Sequence, residues 1–334
     1  MVNVLKRSLW VVLPVMLGLM MLGVGRFDVP LMTVFRILIN EWIPLEVTWT
    51  EMERTVVLTI RLPRVIMAMM IGGGLAVAGA AFQGMFANPL VSSDILGVSA
   101  GAGFGASLGI LLFGHGFTAQ WVALLFGLLA IVFTYTIGGV KKGLPIFMLV
   151  LAGVVTNALF QALISLVKFL ADTEDELPSI TYWLMGSLAT ISTRDMQLAL
   201  PFIILGMIVL WLVRWRINVL TLSEEEARSL GMSTKRLKTL VIVSATLITA
   251  ASVAVSGIIG WVGLIIPHIA RMLVGANNER VIPASIAIGS VYLLLVDTLA
   301  RSLLATEIPL SILTALIGAP FFAYLLQRTG GDWR

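Results

Sequence analysis

Apolar residues in this chain come in long unbroken runs, not in the ten-residue alternations of a transmembrane β-strand. Crossing about 30 Å of hydrocarbon takes about 20 apolar residues in a helix, and in lipid only helices and closed barrels satisfy their own backbone groups. The runs predict spanning helices over residues 9–25, 65–86, 95–113, 121–138, 145–170, 198–213, 240–255, 281–299 and 308–326. A tenth run, 258–269, is too short to span comfortably and reads as a half-length or broken helix beside its predecessor. The expectation is an all-α, polytopic integral membrane protein of about ten helices, with one transmembrane domain over residues 1–334.

Polar positions set the topology. Lys6, Arg7, Lys141, Lys142, Arg214, Arg216, Arg228, Lys235, Arg236, Lys238, Arg271, Arg280, Arg328 and Arg334 fall on one set of loops. The opposite set carries fewer basic residues, diluted by acids such as Asp28, Glu41, Glu51, Asp172 and Glu176. By the positive-inside rule both termini face the cytoplasm, provided that 258–269 acts as a crossing element. Lys6 and Arg7 before an apolar run, followed by Gly23-Val24-Gly25, imitate a secretory signal. The many later spans favour an uncleaved first helix.

Two pieces stand outside the runs. Residues 26–60 form a long, acidic external stretch with Trp42 and Trp49 and enough apolar periodicity for a short surface helix. Residues 221–240 are the strongly polar helical segment. Ser223 suits an N-cap, and Glu224, Glu225 and Glu226 sit where a helix dipole favours anions. Gly231 closes that helix, and Ser233 opens a second one with Lys235, Arg236 and Lys238. Two short helices on the cytoplasmic face read as a docking surface, against the plainer alternative of a solvated loop.

Composition narrows the class. The chain is 59% hydrophobic and 12% charged with mean hydropathy +1.01, too apolar to build a polar skin. A net charge of +4 comes without basic runs interleaved with aromatics, so nucleic acid is not an expected partner. With no cysteine, disulfides, thiolate metal sites and a cysteine nucleophile are excluded.

Glycine spacing is the packing signal: Gly97, Gly101, Gly105 and Gly109 recur every fourth residue, a flat strip along one helix. Gly72–Gly74 and Gly79 do the same for the preceding helix. Gly101-Ala-Gly103 touches a dinucleotide fingerprint, but the strand–helix context that it needs is missing. No phosphate-binding G-x-x-x-x-G-K-[ST] occurs, so ATP hydrolysis must come from another chain. His115 and His268 lack partners at ligand spacing, so neither a metal site nor a catalytic residue is expected. Asp297 and Arg301, four apart near a helix end, are placed to pair with each other close to the outer surface.

Ordered motifs run through the chain: Arg61-Leu-Pro-Arg64, Gly79-Ala-Ala-Phe-Gln-Gly-Met-Phe-Ala-Asn88-Pro89-Leu90 and Asp94-Ile-Leu-Gly-Val-Ser-Ala-Gly101. Further on come Leu151-Ala-Gly153, Tyr182-Trp-Leu-Met-Gly186, GIIGWVGLIIPHIAR at 257–271, Asp297-Thr-Leu-Ala-Arg301 and Glu307-Ile-Pro-Leu. Together they resemble the permease subunits of ABC importers for iron–siderophore, haem and vitamin B12, from about Arg61 to Gln327. The resemblance implies about ten helices in a prokaryotic cytoplasmic membrane and a homodimer with the path at its interface. It also implies two cytoplasmic ATPase subunits, which hold the ATP and Mg, and an external substrate-binding protein. No cofactor is expected on this chain itself.

The resemblance further assigns roles. Arg61, Arg64 and Arg301 match arginines that meet glutamates of the binding protein; interfacial snorkelling is the alternative. Asn88, Pro89 and Leu90 match an inner gate, and Pro145, Ile146 and Phe147 a second gate position where the family often has small hydroxyl residues. Residues 222–240, including Ser223, Glu224, Glu225, Arg228, Leu230, Gly231 and Lys235, match the seat of the ATPase. The implied mechanism is alternating access driven by the ATPase, with the glycine-rich helices re-packing. Iron–siderophore is the first choice of cargo, with haem, cobalamin and molybdate-type oxyanions behind it. A proton-coupled secondary transporter is the rival, disfavoured by the scarcity of buried carboxylates.

Overall fold

The computed structural model describes residues 2–138, 146–222 and 224–329, and every regular element among them is a helix. In chain order these are α1 (Val2–Met21), α2 (Leu31–Asn40), α3 (Glu51–Thr55), α4 (Leu62–Phe86), α5 (Val98–Phe113), α6 (Phe117–Ile137) and α7 (Ile146–Leu170). They continue with α8 (Glu176–Leu184), α9 (Thr193–Ile217), α10 (Glu224–Ser229), α11 (Thr234–Ser256), α12 (Val262–Val274), α13 (Asn278–Ser302) and α14 (Leu310–Thr329). Six helices are long and apolar enough to cross a membrane, and five further apolar helices are shorter, 258–269 contributing to one of these.

Several boundaries differ from the sequence expectation. Residues 51–60 do not belong to a loose external stretch. A capping box, in which Thr50 accepts from the Glu53 amide and the Glu53 carboxylate accepts from the Thr50 amide, starts a helix there. It continues through a π-helical segment, Val56–Arg61, into α4 as one 36-residue rod. The half-length helix is α12, shifted to Val262–Val274, because Gly257 (φ +70°) and Trp261 (φ +70°) break the backbone first. Ser233 does not open a separate short helix. No breaker interrupts Thr234–Ser256, so the turn bearing Lys235 and Arg236 continues directly into the spanning rod α11.

The core is built around α4, whose most apolar window is 83% buried, against 28% for α7. Small residues explain how a central helix is surrounded so closely. Gly72 lies against Gly289 of α13, and Gly79 against the carbonyl of Gly263 in α12, leaving no room for a side chain at either contact. Arg64 meets residue 297, Gly72 meets 289 and Gly84 meets 278, so α4 and α13 run antiparallel along their length. A 25-residue helix is about 38 Å long, so this pair joins two distant ends of the molecule.

The α5 strip is internal to the protomer. Gly101, Gly105 and Gly109 face the Phe126 carbonyl, the Val122 carbonyl and Ala119 of α6. Gly97 is not on that strip: it caps α5 with φ +77° and faces Thr156 and Asn157 of α7. The strip is therefore a fixed contact inside one protomer, and is not surface for a second copy.

Candidate functional site

At the end where α4 begins and α13 finishes, five ionisable side chains converge. Arg64 Nε donates to both carboxylate oxygens of Asp297 at 3.0 Å, and Nη2 donates to Oδ1 at 2.8 Å. Its Nη1 and Nη2 also donate to the two oxygens of Glu307 at 2.9 and 2.8 Å. One planar guanidinium thus ties α4 to α13 and to the loop before α14 with two fork contacts. Arg61 donates to the carbonyls of Leu22 and Gly23 at 2.8 and 3.1 Å, and to that of Phe27. Arg301 donates from Nη2 to the Met21 carbonyl at 2.9 Å, while its buried Nε has no hydrogen-bond partner. Both arginines meet the carbonyl end of α1, where the helix dipole favours cations.

These contacts correct two sequence expectations. Asp297 is fully buried and bonded to Arg64; it is neither wet nor ion-paired with Arg301 at the surface. Arg61, Arg64 and Arg301 are only 4, 5 and 7% exposed, so they turn inward to protein groups and do not snorkel. Spacing alone suggested an i,i+4 pair, but the carboxylate chose a partner 233 residues away that presents two parallel donors.

Glu307 is the outermost member of the cluster, its side chain 26% exposed. Burial raises its pKa, but the hydrogen bonds and charge of Arg64, with Arg26 and Arg301 behind, outweigh burial and hold it below the ordinary glutamate range. A carboxylate depressed in the folded state contributes stability that is complete above the unfolded value, about pH 4.3. That contribution fades as pH falls through the lower folded value. Acid denaturation followed between about pH 3 and 6 should therefore be shallower for Glu307→Gln than for the wild type; superimposed profiles would contradict the pairing.

At the opposite end, α4 stops at Ala87 in the left-handed conformation (φ +48°). Asn88 Oδ1 accepts from the Leu90 amide at 2.9 Å, an Asx turn that presents Asn88 and Leu90 outward, both exposed, with Pro89 partly covered. Ile146 is partly buried and Phe147 is 70% exposed. Pro145 and Ser223 lie outside the described residues. The backbone of Glu224, Glu225 and Arg228 forms α10, which ends at Leu230 (62% exposed) and Gly231 (φ +73°). Lys235 is exposed on the first turn of α11. Leu222 and Leu230 are both exposed apolar side chains on this polar segment.

Other groups went unnoticed in the sequence. Gln83, 3% exposed, donates from Nε2 to the carbonyls of Val91 and Leu264 at 2.9 and 3.2 Å, and accepts from Arg271. On α7, Gln161 and Ser165 are exposed on the outward face, with Asn157 half-buried one turn earlier. Polar residues every fourth position within an apolar run were the signal for that stripe.

Comparisons with known proteins agree with this architecture. Residues 12–328 match the profile of the FecCD transport family. The chain is 43% identical over 311 residues to the molybdate import system permease protein MolB of Haemophilus influenzae, covering 92% of this chain and 90% of that protein. It is 38% identical over 278 residues to the probable iron chelatin transport system permease protein of Helicobacter pylori, covering 83% of each. A solved structure described as an inward-facing conformation of a metal-chelate type ABC transporter superposes with a TM-score of 0.85 at 38% identity. That match covers 97% of this chain and 99% of the other. The chain therefore belongs to the FecCD transport family, as a multi-pass permease subunit of an ABC importer in the prokaryotic cytoplasmic membrane.

Proposed function

We propose that two copies of this chain form the translocation path of an importer whose cargo is a metal chelate or a small oxyanion. A separate binding protein delivers the cargo outside, and two ATPase subunits drive the cycle from the cytoplasm. The antiparallel α4–α13 pair carries this reading. One of its ends holds the arginine–carboxylate cluster, and the other holds the Asn88-Pro89-Leu90 turn beside Thr221 and Asn278. The excess of Lys and Arg on the latter side supports placing it, with both termini, in the cytoplasm. About ten crossings follow if the shorter apolar helices count as crossing elements.

Asn157 and Gln161 support putting α7 against the path, because lipid offers their side chains no hydrogen bonds; the Ser165 hydroxyl beside them donates to the Gln161 carbonyl at 2.9 Å. Iron–siderophore stays among the cargo candidates with molybdate, cobalamin and haem. The two relatives described above are named for molybdate and for an iron chelate, which keeps both classes open.

In the cycle, ATP binding draws the ATPase pair together and pulls on α10 and the start of α11. Packed helices switch between discrete arrangements, so the pull tilts the α4–α13 pair as a unit and moves the Asn88 turn. Arginines at the outer end serve binding-protein docking through the exposed rim of the cluster, where an incoming carboxylate competes with Glu307 for Arg64. Charge reversal at Arg64 would set like charges side by side in the core, so it is a test of folding more than of docking.

The coupling assignment has a cleaner test. Leu230 is 62% exposed, so Leu230→Glu should fold as the wild type does. It should lower co-purification of the ATPase subunits at least tenfold and abolish ATP-driven uptake. Undiminished co-purification and uptake would remove α10 from the ATPase seat.

A further inference from the structure

A cavity of about 440 Å³ opens at the inner end of the molecule, between the end of α4, the turn at 218–221, α12 and the start of α13. Gln83, Asn88, Thr221, His268, Arg271 and Asn278 contribute to its wall, and among the described residues no acidic one lines it. Arg271 is the fixed cation of this space. A guanidinium has five N–H donors and stays protonated. One donor is taken by Gln83, whose amide is held by the Val91 and Leu264 carbonyls, so the glutamine aims the arginine. Arg271 is partly buried, and among the described residues no carboxylate forms an ion pair with it. His268 lines the same wall, three residues before Arg271 on α12. Asn88 uses its Oδ1 for the Leu90 amide, which leaves its side-chain nitrogen as a donor.

From this arrangement we infer that the cavity is a binding site for a tetrahedral oxyanion, held by Arg271 with His268 and Asn88 beside it. The arginine at the outer end shows what this chain does with a buried guanidinium when a carboxylate is to be had: Arg64 has two. Among the described residues Arg271 has none, and its fork lies on the wall of an open cavity with only Gln83 bonded to it. An oxyanion presents the paired acceptors that a guanidinium fork matches. The volume falls in the range of small-ligand sites, about 300–1,000 Å³, and leaves room for the anion with part of its water shell.

Calorimetric titration of the purified full-length chain, alone and assembled with its ATPase, tests this directly. Tungstate, molybdate, sulfate and phosphate would be compared with chloride at matched ionic strength. Saturable one-site binding of the tetrahedral dianions is expected in both preparations. Arg271→Gln should weaken it at least tenfold and Arg271→Lys by less. Ala276→Glu puts a carboxylate on the cavity wall at an exposed position, so it should fold normally and also weaken binding.

Preference for molybdate and tungstate over sulfate and phosphate would mark the anion as departing cargo; equal affinity would mark it as a free cytoplasmic anion. No binding beyond chloride would overturn the site, as would affinity unchanged in both Arg271→Gln and Ala276→Glu. Binding that vanishes once the ATPase is attached would overturn it too, because a partner side chain would then fill the space. None of these readouts depends on transport, so a failed uptake assay would leave the site untouched.

Discussion

Asp297→Asn should leave little folded protein in the membrane. Asp297 is fully buried and accepts three hydrogen bonds from Arg64, which is itself only 5% exposed. Removing one partner of a buried ion pair costs about 3–5 kcal/mol; Glu307 still pairs with Arg64 from the solvent side, so the lower end of that range is expected. Whole domains are stable by about 5–15 kcal/mol, so this one change removes a large part of the margin. Glu307→Gln should cost much less, since Glu307 reaches solvent. The triple variant Arg64→Leu, Asp297→Leu and Glu307→Gln should recover part of the loss, because neither carboxylate that Arg64 paired with is then left as an orphaned charge. Thermal unfolding in detergent measures all three. An Asp297→Asn melting curve within a degree or so of the wild type would contradict the account of the cluster.

Gly79→Val is the second severe case. A Cβ at this position would run into the carbonyl of Gly263, and backbone on both sides gives no side chain that can swing away. Overpacking a well-filled core costs about 1–3 kcal/mol and sometimes more. Two rigid backbones put this site at or beyond the top of that range. Gly260→Ala is the matched control: its Cβ meets nothing within 4 Å and its backbone is ordinary, so it should be neutral within about 0.5 kcal/mol. Equal melting temperatures for the two variants would mean that the close α4–α12 approach does not hold.

Much of this structure was legible in the chain because lipid imposes one pattern. Unbroken apolar runs located α4, α6, α7, α9, α11 and α13, and the Gly101–Gly105–Gly109 spacing announced a close helix contact. What escaped was set by distant residues. Nothing near Arg64 says that its partners lie at Asp297 and Glu307, 233 and 243 residues away. The early start of the α4 rod needed the Thr50–Glu53 capping box to be weighed above the polarity of residues 51–54. Local polarity also hid that Lys235 and Arg236 begin α11, where a run with no Gly or Pro to break it decided the outcome. At the inner end, Gln83 looked like one polar residue in an apolar motif; only the fold brings it to Arg271.

On the proposed function, this chain moves cargo only as the passive half of an ATP-driven machine. Proteoliposomes holding the chain, with or without its ATPase, can be given binding protein loaded with radiolabelled molybdate or ferric siderophore. Accumulation of the cognate cargo is expected only when the ATPase, enclosed ATP–Mg and loaded binding protein are all present, and an imposed proton gradient should add nothing. Uptake driven by a proton gradient in vesicles that lack the ATPase would contradict the account.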